Sequence, residues 1–260
     1  MQLQGRVAII TGGGRGIGRA IARRFAAEGA SVVIAARTEG ELRATAAEIE
    51  KSSGRAAWVA GDVSREDDAA RIVRTAVEKF KRVDILVNNA GIYGPVKPVE
   101  EISAAEWDSV IAVQLRGAFL MTRLVLPEMY SRGGGVILNM SSVAARAAYS
   151  WGAAYATAKA GLLGLTRTAA AEGARRGVRV NAILPGPVPE TNMSQELGRQ
   201  LAARAKRDGA EMFKEFVNTI LQGRPQTAEE VAAAALFLAS DQASAITGQA
   251  LSVDGGMSFC

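Results

Sequence analysis

The 260-residue chain contains no histidine. Serine–histidine hydrolytic triads and histidine-ligated metal centres are therefore excluded, and a catalytic zinc centre built on Cys and His goes with them. No metal site is expected. A single cysteine, Cys260, rules out an internal disulfide, and its position does not match a prenylation box. That cysteine usage suits the cytoplasm. Long apolar runs are missing too. The longest clear one, residues 231–239, falls far short of the roughly 20 residues needed to cross a bilayer, so no membrane is expected. The first residues, Met1 to Arg6, lead into a strand without a signal-peptide pattern. Net charge is +5, yet the basic residues are scattered among acids with no run of five or more. Nucleic acid is not the expected partner; a solvated surface that favours a phosphate-bearing ligand is. Any chemistry must run on hydroxyls, amines, carboxylates or a bound cofactor.

What the chain does have is apolar content, 48% against 22% charged, enough for a sizeable core. Short β-branched runs at 7–10, 31–36, 57–60, 84–88, 136–140, 178–184 and 250–253 read as buried strands. Helix-length segments at 16–28, 39–52, 65–80, 106–130, 153–175 and 228–239 alternate with them. Such alternation predicts one α/β domain, a doubly wound, parallel, seven-stranded sheet with helices on both faces. No internal repeat or linker interrupts residues 1–260. Residues 191–224 carry no such pattern, and an insertion of that length predicts a substrate lid.

Thr11-Gly12-Gly13-Gly14-Arg15-Gly16-Ile17-Gly18 joins the first strand to the first helix. Glycines there let backbone amides approach a pyrophosphate at a helix N-terminus. The second strand ends in Ala36, where an acid would bind ribose hydroxyls, and Arg37 follows. Without a carboxylate nothing repels a 2′-phosphate; Arg37 can pair with it, and Arg15 can add a second charge. NADPH is favoured over NADH. Farther along, Tyr155 and Lys159 share a helix face at a four-residue spacing, and Ser142 closes the strand at 136–140. In a parallel α/β sheet the carboxyl ends of the strands form the ligand crevice.

In these elements the sequence resembles the short-chain dehydrogenase/reductase family, from about residue 5 to residue 256. The glycine turn is similar to the family's phosphate element, Asp62-Val63 to its adenine-contacting pair, and Asn88-Asn89-Ala90-Gly91 to its strand-four signature. Ser142, Tyr155 and Lys159 match its catalytic trio, Asn181 with Pro185-Gly186 its strand-six signature, and Val253-Asp254-Gly255-Gly256 its C-terminal segment. The resemblance implies a Rossmann-type fold and a nicotinamide cofactor. Together with Arg15 and Arg37, read from their charge, the residues expected to bind the cofactor are Gly12, Gly16, Ile17, Gly18, Asp62, Val63, Asn89, Ala90, Gly91, Tyr155, Lys159, Pro185, Gly186, Val188 and Thr191. It also implies a homotetramer or homodimer joined through the helices that begin near Glu106 and Ala153. Tyr155 would donate the proton, Lys159 would ease ionisation of a phenol that otherwise titrates near 10, and Ser142 would polarise the carbonyl. Two departures stand out. Gln114 replaces the family's asparagine in Val113-Gln114-Leu115-Arg116-Gly117, and Thr191 follows Pro185-Gly186 at a longer distance than the family's threonine.

The expected activity is reduction of a small-molecule ketone or a 3-oxoacyl group, a carrier-protein thioester being one form of the latter. Arg132, Arg175 and Arg176 could meet an acidic carrier, although such arginines are more often simply solvated. The alternatives are an alcohol, steroid or sugar dehydrogenase working oxidatively, and a non-catalytic cofactor sensor. Enoyl reductases of the superfamily space the Tyr–Lys pair more widely than this chain does.

Overall fold

A computed structural model describes residues 1–258; Cys260 lies outside the described residues. Among them, strands β1 (Val7–Thr11), β2 (Ser31–Ala36), β3 (Arg55–Ala60), β4 (Ile85–Asn88), β5 (Gly135–Met140), β6 (Val178–Pro185) and β7 (Ala250–Val253) form one sheet. The order is β3-β2-β1-β4-β5-β6-β7, and every pairing is parallel. The doubly wound expectation holds.

Successive strand residues point to opposite faces, so these largely apolar strands feed two cores. On one face Ile10, Ile34 and Leu138 pack with Ile21 and Phe25 of α1 (Gly16–Ala27) and Leu236 of α9 (Ala228–Ala239). On the other, Ile9, Val33 and Ile137 pack with Ile72 of α3 (Glu66–Phe80) and Met121 and Met129 of α5 (Gly117–Ser131). Between α1 and α3 runs α2 (Glu39–Lys51), and α6 (Ala153–Gly173) precedes β6.

Two regions differ from the sequence expectation. The helix predicted over 106–130 is α4 (Ala104–Ile111) and α5 joined through a π-helical stretch, Ala112–Arg116. The wider turn admits an extra residue and swings Gln114 inward, to 2% exposure. By length and composition alone this 28-residue helix could cross a bilayer, a feature that no single apolar run betrays. Its apolar side is spent on the sheet, through Leu120, Met121, Val125 and Met129. Residues 191–224 are not irregular either: they form α7 (Asn192–Ala205) and α8 (Gly209–Val217). Neither helix has a buried residue, although α8 is as clearly amphipathic as the core helix α1.

The strand order reverses direction between β1 and β4, and the crevice opens at that switch point. Thr11 and Asn89 fasten it. The Thr11 hydroxyl donates to the Val87 carbonyl at 3.2 Å and accepts from the Asn89 and Ala90 amides at 3.0 Å each. The Asn89 side-chain amide donates to the Thr11 carbonyl at 2.9 Å.

Candidate active site

A cleft of about 510 Å³ runs along the carboxyl ends of β1, β2 and β4. Gly12, Arg15, Gly16 and Ile17 floor one end of it, at the N-terminus of α1. Gly12 has φ +66°, and a Cβ there would sit 2.8 Å from the Asn89 amide nitrogen and 3.0 Å from the Ala90 backbone. Only glycine lets the turn lie this close to β4, leaving backbone amides to face the cleft. Gly18 lies beneath the turn, against the Gly12 carbonyl, and supports it from outside the cleft wall.

Arg37, Asp62, Val63, Asn89, Ala90, Gly91 and Thr191 also line the cleft. Arg37 is exposed, and among the described residues it makes no ion pair. Arg15 is engaged: its guanidinium lies 3.1 Å from Glu41, at the start of α2. The second positive charge expected from Arg15 is thus partly neutralised, because α2 presents an acid that the sequence reading did not weigh. Asp62 accepts from the Ser64 amide at 2.9 Å and the Ser64 hydroxyl at 2.7 Å, which fixes the turn after β3. Val63 is buried against Gly117. Pro185, Gly186 and Val188 stand behind the cleft rather than on its wall. Pro185 ends β6, Gly186 packs on Asp254 and Gln226, and Val188 is 2% exposed.

Ser142, Tyr155 and Lys159 come together at the end of β5 and the head of α6. Ser142 starts a short turn and accepts from the Ala144 amide at 3.2 Å. A buried polar chain anchors this corner. Asn88 donates to Asn139 at 2.9 Å, Asn139 to Thr166 at 2.9 Å, and Thr166 to the Leu162 carbonyl at 2.7 Å. Ser141 donates to the Lys159 carbonyl at 2.8 Å, tying β5 to α6 at the level of the trio. Each such group left unpaired would cost about 1–3 kcal/mol, so the chain fixes the register of α6 on the sheet. Sequence reasoning did not find Ser141, Asn139 or Thr166, since isolated polar residues in apolar strands and helices carry no spacing signal.

The electrostatics of the trio differ from the sequence expectation. The Lys159 ammonium donates to the Met140 carbonyl at 2.7 Å and stands 5.4 Å from the centre of the Tyr155 ring. Burial pulls the lysine down to about 7. Burial pushes the Tyr155 phenol up to about 12; the Ser142 hydroxyl opposes that rise and Tyr93 adds to it. Desolvation disfavours both charged forms, and the lysine addresses a backbone carbonyl and the face of the ring rather than the phenol oxygen.

Gln114 projects from the π-helical turn, and its side-chain nitrogen donates to the Ile92 carbonyl at 2.7 Å. Its Oε1 is buried without a hydrogen-bond partner among the described residues. Cleft residues that the sequence reading did not name include Glu41, Asn192, Glu196 and Gln200. The last three come from α7, which therefore forms one wall.

Comparison with known proteins matches residues 12–258 to the family model described as enoyl-(acyl carrier protein) reductase. Levodione reductase of Leifsonia aquatica is 40% identical over 255 residues, 97% of this chain and 94% of that protein. A 3-oxoacyl-(acyl-carrier-protein) reductase of Thermotoga maritima is 38% identical over 257 residues, 99% of each chain. Among solved structures, an actinorhodin polyketide ketoreductase variant with NADPH superposes with a TM-score of 0.93. It is 34% identical, and the match covers 99% of this chain and 98% of that one.

Proposed function

Since this chain belongs to the short-chain dehydrogenase/reductase family of oxidoreductases, we propose that it reduces a ketone or 3-oxoacyl carbonyl to a secondary alcohol, with NADPH as reductant. The observation that carries the reading is the convergence of Ser142, Tyr155 and Lys159 at one strand end, next to the glycine-floored cleft. The similarity to a levodione reductase, a 3-oxoacyl reductase and a polyketide ketoreductase supports the same reading.

The residues present fit the dinucleotide. The turn from Gly12 to Gly18 and the α1 N-terminus would hold the diphosphate, and Arg37 beside Ala36 would meet the 2′-phosphate. Asp62 and Val63 would border the adenine; Asn89, Ala90, Gly91 and Thr191 would border the nicotinamide half, with Pro185, Gly186 and Val188 backing it. When bound, NADPH supplies the hydride.

The chain's own residues handle the proton. Tyr155 donates it to the substrate oxygen while Ser142 hydrogen-bonds that oxygen. A phenol near 12 parts with its proton reluctantly, and the Lys159 ammonium, turned from the Met140 carbonyl toward the phenol, offsets that reluctance. Gln114 offers a buried acceptor for the path by which Tyr155 regains a proton. Helices α7 and α8 serve as the lid over residues 191–224, closing on the cleft and excluding water. The working form is a dimer or tetramer, for which exposed Phe119, Phe237 and Leu251 offer apolar surface.

Tyr155→Phe tests the mechanism. Turnover of ketones with NADPH should fall by at least about 10²–10⁴-fold, the usual weight of a positioned acid, while NADPH affinity changes less than about twofold. A variant that keeps most of its turnover would overturn the proposal.

A further inference from the structure

The segment between β4 and α4, residues 89–98, has no regular structure, and Tyr93 stands in it between Gly91 and Gly94. Its ring stacks on that of Tyr155, with centroids 4.7 Å apart and planes at 26°. Tyr93 forms part of the cleft wall; Tyr155, Ser142 and Lys159 do not. The catalytic phenol therefore sits behind a second phenol. Two glycines make that pose possible. A Cβ on Gly152, the residue that opens α6, would meet the Tyr93 hydroxyl at 2.5 Å, and Gly94 turns the chain back with φ +84°. Among the described residues the Tyr93 side chain makes no hydrogen bond, so the stack is what holds it.

Resting on the reading of Tyr155 as proton donor, we propose that Tyr93 is a positioning residue that gates it: stacked, it screens the catalytic phenol from the cleft, and it turns aside to admit substrate. An aromatic pair is a modest restraint, about 0.5–1.5 kcal/mol beyond area burial, which suits a door rather than a wall. Tyr93 is poised to turn because no polar contact has to break, whereas the trio behind it is fixed by the Asn88–Asn139–Thr166 chain. The titratable and charged groups facing Tyr155 are Tyr93, Lys159 on its own helix and, behind Tyr93, Tyr149 from the loop after β5. With so few polar neighbours, the screening ring also helps keep the phenol protonated until substrate arrives.

The test uses the full chain labelled with 3-fluorotyrosine, whose four tyrosines are assigned by single Tyr→Phe changes. In Tyr93→Leu the Tyr155 fluorine signal should titrate at least about half a pH unit lower than in wild type, because the phenol meets solvent. In Tyr93→Phe, which keeps the ring, it should stay near wild type. Kinetically, a door competing with substrate raises KM and spares kcat, so Tyr93→Leu should lower KM for ketones about fivefold with kcat within about twofold. An unmoved Tyr155 titration in a folded, NADPH-binding Tyr93→Leu protein overturns the gate. Should that variant not fold, Tyr155→Leu serves instead: the Tyr93 signal must lose its ring-current shift, and an unshifted signal overturns the gate equally. If no protein turns over any ketone, the reductase reading fails, while the fluorine titration still decides the gate.

Discussion

At the phosphate end of the cleft, backbone does the recognising: the glycine turn already faces open space, held there by the Thr11 and Asn89 side chains that bind β1 to β4. At the reacting end, side chains do it, and they are turned elsewhere, with Lys159 on the Met140 carbonyl and Tyr155 behind Tyr93. The difference follows from what each end must recognise. A diphosphate needs amides and a helix N-terminus, which strand register and glycine positions fix without cost in buried charge. Proton transfer needs a charged lysine and a phenol that gives up its proton readily, and burial opposes both. The first end can be made ready by folding alone. The second is completed by what binds.

The largest expected effect lies at the ready end. Ala36→Asp with Arg37→Leu removes the free guanidinium and puts a carboxylate where the 2′-phosphate would lie. The ratio of kcat/KM for NADPH to that for NADH should fall about 10³-fold, since the 2′-phosphate forfeits a charge-assisted hydrogen bond and the NADH ribose acquires an acceptor. Equal use of both cofactors by the wild type would break the assignment. Glu41→Gln sharpens it: releasing Arg15 from its 3.1 Å partner should tighten NADPH severalfold and leave NADH unchanged.

A smaller effect probes the reacting end. With Lys159 held down to about 7 in the fold and an ordinary value of 10.5 in the unfolded chain, the unfolded chain binds that proton more tightly. Wild-type stability, without cofactor, should therefore rise with pH between about 7 and 10.5. Lys159→Met lacks the group. It should be more stable than wild type by roughly 2 kcal/mol at pH 6, after allowance for the missing hydrogen bond, with the gap closing toward pH 10. Thermal melts across that range measure it. A gap that stays constant would show the buried ammonium to be without cost, and the contrast between the two ends would lapse.

The same contrast marks what could be read from sequence. The glycine turn and the strand run were legible because glycine and β-branched periodicity encode backbone, whereas Ser142, Tyr155 and Lys159 were singled out by the family resemblance. Glu41 on Arg15 was not, since an acid in the first turn of any helix is unremarked. Nor was the stack of Tyr93 on Tyr155, a contact across 62 positions that depends on how two loops fold together. The π-helical turn escaped as well, for one added residue leaves the helical periodicity on either side intact.

The least effect is expected at Gln114, where the two ends meet in the middle of the joined helix. Its nitrogen reaches the Ile92 carbonyl at 2.7 Å, a side-chain amide on a backbone carbonyl like that of Asn89 on Thr11. Its Oε1 is orphaned and buried, and a Cβ on Gly91 would lie 2.6 Å from it, so the site is already tight. Asparagine keeps both functions one methylene shorter, and the torsion it spares is worth at most about 1 kcal/mol. Gln114→Asn should therefore change turnover by less than about tenfold, or 1.4 kcal/mol. Gln114→Leu is the harsher probe. It fills the same space but deletes both the acceptor and the donor to Ile92, so turnover should fall more than about tenfold and the pH profile should move, with NADPH affinity held. Were the leucine variant to match wild type in rate and profile and differ only in its melting temperature, Gln114 would be packing for the π turn. The reacting end would then draw its proton path from Lys159 alone, and the contrast with the phosphate end would narrow to one side chain.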